Sequence, residues 1–130
     1  MAYKNFNANP KGRKTGDCYI RALSKAAKMC WKVVLEKLVS ISMDKYLDPS
    51  DTKVIDQFVK DVGGEAKKID YLIGPGTKRR RPVVWEFARD NPTGRYVLRV
   101  ANHLVAVANG NYYDTWDSGG KSVYKYWKIK

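Results

Sequence analysis

The sequence predicts an α+β fold, with N-terminal helices packed on a C-terminal antiparallel sheet. Three observations predict it. Apolar residues recur at helical spacing through the first part of the chain. The last third instead holds short runs rich in Val, Tyr and Leu, with turn residues between them. Helices first and a meander last is the α+β order. The length, 130 residues, suits one domain spanning 1–130, and 44% apolar residues are enough for one core and too few for two.

Residues 1–15 are polar and carry Asn5, Asn7, Asn9, Pro10 and Gly12, the composition of an extended arm or loop. Helical spacing then begins behind Thr15-Gly16-Asp17, with Ile20, Leu23 and Ala27 on one stripe and Asp17 or Thr15 placed to cap it. A second helix is predicted from about Trp31 to Ser42, with Val34, Leu35, Leu38 and Val39 inward. Asp48-Pro49-Ser50 breaks the chain. Ser50 or Asp51 caps a third helix that buries Val54, Ile55, Phe58, Val59 and Val62 and stops at Gly63-Gly64. Glu65–Leu72 reads as one short strand. Gly74-Pro75-Gly76 and the basic run after it read as an exposed loop. Pro82 suits the first turn of a short helix from Val83 to Arg89. Strands are predicted at Arg95–Val100, His103–Ala108, Tyr112–Thr115 and Val123–Ile129, with a hairpin turn in Asn109-Gly110-Asn111.

The function classes narrow by composition. No run of about 18 apolar residues exists, so no membrane span or membrane partner is expected. The N-terminus lacks the apolar core of a secretory signal, which points to a cytoplasmic protein. Two cysteines, Cys18 and Cys30, are too few for a disulfide scaffold and are expected as free thiols. One His and two Cys lack zinc-ligand spacing, so no metal or other cofactor is expected. The four Trp residues, Trp31, Trp85, Trp116 and Trp127, read as core or groove wall. The formal charge of +12 makes an anionic partner plausible, with Lys78, Arg79, Arg80 and Arg81 as the candidate anion-binding cluster.

Cys18 stands where a loop meets a helix. Free backbone N–H groups and the helix dipole there favour a thiolate, and Arg13, Lys14 and Arg21 push the same way. The same amides can hold the oxyanion of a tetrahedral intermediate. His103, the only histidine, opens a predicted strand. A hairpin through Asn109-Gly110 sets residue 105 opposite 114, and one through Gly110-Asn111 sets 107 opposite 114. Both put Asp114 on the strand face of His103, whereas Asp117 has the opposite parity and ranks second. A thiol, an imidazole that takes its proton and a carboxylate that fixes the imidazole tautomer are the parts of nucleophilic acyl transfer, so the candidate catalytic set is Cys18, His103 and Asp114.

These residues carry a resemblance. Thr15-Gly16-Asp17-Cys18-Tyr19-Ile20-Arg21-Ala22-Leu23 resembles the nucleophile helix of small papain-like cysteine peptidase-type proteins of Gram-positive bacteria and their phages. The segments Gly94–Val100, His103–Val107 and Tyr113–Asp117 resemble their His and Asp strands. The resemblance implies a papain-like fold, a Cys-His-Asp site, a protein or peptide substrate, and hydrolysis of amide or isopeptide bonds through a thioester. Papain-like enzymes also supply a Gln just before the Cys. Here Asn9-Pro10-Lys11-Gly12-Arg13-Lys14-Thr15 holds none, so the amide of Asn9, or of Asn7, is the expected oxyanion donor. Two alternatives stay open: a catalytically inactive binding protein on the same fold, such as a phage inhibitor or ligand sponge, and a basic nucleic-acid-associated protein.

Overall fold

The computed structural model describes residues 2–73 and 79–129. In chain order these form β1 (Tyr3–Asn5), α1 (Cys18–Ala27), α2 (Trp31–Lys45), α3 (Thr52–Asp61), β2 (Glu65–Lys68), β3 (Leu72–Ile73), β4 (Arg79–Arg80), α4 (Val84–Asp90), β5 (Arg95–Val100), β6 (His103–Ala108), β7 (Asn111–Asp114) and β8 (Lys125–Ile129). The architecture is α+β. Six strands make one sheet in the order β1-β7-β6-β5-β8-β2, and β3 pairs with β4 apart from it. Every pairing in the large sheet is antiparallel except β1 with β7.

Strand alternation divides the core between the two sheet faces. Val97, Leu104, Ala106, Trp127 and Ile129 face α1, α2 and α3, which contribute Ile20, Leu23, Val34, Leu38, Val54, Ile55, Phe58 and Val59. Leu98, Val100, Val105, Val107 and Tyr112 face the other way, under Val84, Phe87 and Ala88 of α4 and Val123. Aromatic edge contacts fasten that second layer, with Phe87 centred 4.9 Å from Tyr126 and 5.2 Å from Tyr96.

Local chemistry explains most boundaries. Asp51 caps α3 by accepting the Lys53 N–H at 2.8 Å, and Gly63 leaves that helix with φ of 87°. At Gly64 the chain passes so close to β8 that a Cβ would overlap the Lys128 carbonyl oxygen and lie 2.8 Å from Val59 Cγ1. Asn109 and Gly110 have φ of 50° and 81°, the two positive angles of a type I′ turn. That turn sets Ala108 opposite Asn111, Val107 opposite Tyr112 and Ala106 opposite Tyr113. The register left open by the sequence is therefore the one through Asn109-Gly110.

Four expectations are corrected. The arm read as a loop contains β1, which adds Tyr3, Lys4 and Asn5 in parallel beside Tyr112, Tyr113 and Asp114. The strand expected over Glu65–Leu72 breaks after Lys68, and the chain then leaves the large sheet to form β3. Arg79 and Arg80, read as loop, are strand residues opposite Ile73 and Leu72. Pro82 lies before α4, not within its first turn. There its carbonyl accepts the Val123 N–H at 2.9 Å, and Val83 caps the helix. Among the described residues no helix is long and apolar enough to cross a membrane.

Candidate active site

Cys18 is the first residue of α1, half-buried, with Asp17 before it as the N-cap. The Asp17 carboxylate makes no side-chain cap. It is turned instead to Arg21, with which it forms an ion pair one helical turn on, and to Trp31, whose indole N–H donates to Oδ2 at 2.8 Å. No capping side chain therefore takes up the first-turn amides, and the positive end of the helix points at the thiol.

His103 and Asp114 come from the start of β6 and the end of β7. They are diagonal neighbours across the hairpin, and His103 Nε2 lies 2.6 Å from Asp114 Oδ2. With Nε2 held by the carboxylate, Nδ1 is the nitrogen left for the thiol, and Cys18 and His103 line one cleft. The strand parity of both residues is that of the face under α4, whereas Leu104 and Ala106 belong to the face under α1. Cys18 thus meets the imidazole at the end of the sheet, where β6 begins, and not across the helix-covered face. Leu104 lines the cleft with them at that edge.

Asp114 is 3% exposed and its oxygens are saturated with donors. Oδ2 accepts from Ser118 Oγ at 2.8 Å as well as from His103, and Oδ1 accepts the Thr115 N–H at 2.8 Å. The Arg21 guanidinium stands 3.7 Å from Oδ1. A chain of polar contacts therefore runs from Trp31 through Asp17, Arg21 and Asp114 to His103, which shares a cleft with Cys18. The imidazole lies beside Trp116, with ring centroids 5.1 Å apart and the planes tilted by 36°.

Electrostatics favour an ion pair. Burial pushes the Cys18 thiol up, but the His103 hydrogen bond, the Leu104 N–H and the charges of His103 and Arg21 together bring it below its ordinary 9.0. Burial pushes His103 down, but the hydrogen bonds to Asp114 and Cys18 and the charges behind them raise it from 6.5 to about 9. Between the lowered thiol value and about 9, thiolate and imidazolium coexist.

The remaining candidates lie elsewhere. Asp117 accepts the Tyr112 hydroxyl at 2.7 Å and the Gly119 N–H at 3.0 Å. Asn9 is in a turn, where its side-chain oxygen accepts the Lys11 N–H at 2.9 Å, and it does not line the cleft at Cys18. That cleft, about 200 Å³, is lined by Cys18, Tyr19, Ser50, Arg99, Asn102, His103 and Leu104. Lys78 lies outside the described residues. Arg80 makes a double hydrogen bond to Glu86, at 2.7 Å to each oxygen. Arg79 stacks over Tyr71, and Arg81 over both Tyr71 and Tyr124. Among the described residues no group of three His, Cys, Asp or Glu is placed to hold a metal ion.

Sequence reasoning missed the contributions of Ser118, Leu104 N–H, Trp116 and Trp31, and it read Arg21 only as a nearby positive charge. The spacing of Asp17 and Arg21, four residues apart on a helix, is the one local signal among them. Comparison of the chain with protein-family models, with curated proteins and with solved structures finds no match.

His103 is the only histidine, so its ring protons give one assignable magnetic-resonance titration. We expect a midpoint at about 9, because the imidazolium is held from the ordinary 6.5 up to that value. The stabilisation it contributes is complete below 6.5 and disappears as pH rises through about 9. Asp114→Asn should drop the midpoint toward or below 6.5. A wild-type midpoint at 6.5 would contradict the arrangement.

Proposed function

We propose that the chain is a thiol hydrolase of papain-like architecture, a peptidase or isopeptidase that works through a thioester on Cys18. The observation that carries this reading is the Asp114–His103–Cys18 chain, in which a carboxylate–imidazole pair at 2.6 Å shares one cleft with the thiol at the uncapped start of α1. Such a chain also resembles that of the papain-like proteins named above, which is the ground for the fold-family part of the proposal.

The chemistry follows from the geometry. The Cys18 thiolate forms a bond to a substrate carbonyl carbon, and the carbonyl π pair moves onto oxygen. First-turn amides of α1 face that oxyanion, a role expected of Asn9 from sequence and better suited to backbone donors at the thiol itself. Collapse breaks the C–N bond, and the leaving amine takes the proton from His103 Nδ1. Water then attacks the thioester and gives a proton to the imidazole, and the acid leaves as the thiolate is restored. Asp114 holds Nε2 throughout, which fixes the ring orientation and stabilises its positive form.

A second reading, nucleic-acid association, is favoured by one separate feature. Lys67, Lys68, Tyr71, Tyr124 and Lys125 line a groove of about 590 Å³. Arg79 and Arg81 stand over its tyrosines and have no carboxylate partner among the described residues. If this groove holds single-stranded nucleic acid, affinity falls steeply with salt, and Arg79→Ala with Arg81→Ala flattens the salt slope by about 1.4. A slope unchanged by both substitutions removes this reading.

An activated ester tests the hydrolase directly. With p-nitrophenyl acetate we expect a stoichiometric burst of p-nitrophenol and an acetyl group that peptide mapping places on Cys18. Cys18→Ala should abolish the burst, and His103→Ala should slow it by about 10²- to 10⁴-fold. Acylation of Cys18 no faster than of Cys30 would overturn the proposal.

A further inference from the structure

The cleft beside Cys18 contains a cation that the acyl-transfer chemistry does not use. Arg99, near the end of β5, sits opposite Leu104 and Lys125, on the sheet side that α1 and α3 cover. Arg99 lines the same cleft as Cys18 and His103. One donor is engaged, since Nη1 donates to Thr52 Oγ1 at 2.9 Å at the start of α3. A guanidinium carries five N–H donors, so most of them are left over.

The other arginines that meet acids show what is missing. Arg21, Arg80 and Arg89 each have a carboxylate within ion-pairing distance. Arg99 has none among the described residues. The field of Asp48 reaches Tyr19 at the rim of the cleft, yet Asp48 forms no ion pair with Arg99. Asp51 is turned to its own helix, where it accepts the Lys53 N–H. The other cleft residues, Tyr19, Ser50, Asn102 and Leu104, bring no negative charge. A half-buried arginine tethered by one hydroxyl at a small polar cleft is set up to take a planar anion by two parallel hydrogen bonds.

We propose that Arg99 is a specificity-determining residue that binds a substrate carboxylate next to the carbonyl attacked by Cys18. This rests on the thiol-hydrolase reading and narrows its substrates to acyl compounds or peptides with an acidic group at that place. The carboxylate can belong to an acidic side chain or to a free chain terminus. Both present the same fork to the guanidinium.

Three alkylating probes separate these possibilities: N-iodoacetylglycinamide, which is neutral, N-iodoacetylglycine, which has a free terminal carboxylate, and the α-amide of N-iodoacetylaspartate, which has a side-chain carboxylate. The rate of Cys18 modification is followed by mass spectrometry on the intact chain at low ionic strength, for wild type and for Arg99→Gln, which keeps a donor for Thr52. In wild type we expect at least one charged probe to react about tenfold faster than the neutral one. The faster of the two identifies the source of the carboxylate. Arg99→Gln should remove that preference and leave the neutral rate within about twofold, since the imidazolium, which also attracts anions, is still in place. A charged-to-neutral ratio that is the same in both proteins overturns the proposal while the thiol site stands. If the neutral probe modifies Cys18 no faster than Cys30 in wild type, the thiol-site reading itself fails, and the role of Arg99 falls with it.

Discussion

The bond between His103 and a buried Asp114 is the constraint on which the rest of the site depends. A carboxylate that is 3% exposed is costly unless donors satisfy it, and this one faces four: the imidazole, the Ser118 hydroxyl, the Thr115 amide and the Arg21 guanidinium. They come from β6, from the turn after β7 and from α1, so the demand of one carboxylate ties the sheet to the helix that carries Cys18. The N-terminal strand closes the same corner. The Asp114 carbonyl accepts the Phe6 N–H at 2.9 Å and the Tyr3 hydroxyl at 3.2 Å. Backbone and side chain of this residue are therefore both fixed, and the imidazole inherits its orientation from them.

Arg21 links this constraint to the thiol by a second route. It belongs to α1, one turn after the nucleophile, and it lies between the carboxylates of Asp17 and Asp114. Holding Asp17 in that pair, with the Trp31 indole on its other oxygen, keeps it from capping α1. The helix gives up a stabilising cap, typically worth about 1 kcal/mol. In exchange its first-turn amides are left without a capping side chain at the end that carries Cys18. The same guanidinium is one of the charges that lower the Cys18 thiol.

How much of this is legible in sequence depends on how local each feature is. The His103–Asp114 pairing was legible because a tight hairpin converts separation along the chain into strand parity, and both possible two-residue turns gave the same face. The helices followed from apolar spacing, and α3 was bracketed by Asp51 and Gly63. Strand β1 was not legible, because three mostly polar residues pair in parallel with a partner more than a hundred positions away and leave no periodic trace. Arg79 and Arg80 looked like a solvated charge run, since nothing local announces that Glu86 folds back on Arg80. Which face of the sheet the N-terminal helices cover was not legible from parity alone: alternation gives it to Leu104 and Ala106 and leaves His103 and Asp114 on the other face. Asn9 is an expectation from residue type and position; its side-chain oxygen accepts the Lys11 N–H, and Asn9 is not among the residues lining the cleft at Cys18.

The central claim, a thiolate at Cys18 sustained by His103, is tested most directly by the pH dependence of Cys18 alkylation in wild type and His103→Ala, with exposed Cys30 as the internal reference. The account predicts that Cys18 is already reactive below its ordinary 9.0 and that loss of the imidazole moves its profile upward, because burial then acts without its main opponent. A Cys18 profile that coincides with that of Cys30 and does not respond to His103→Ala would contradict it.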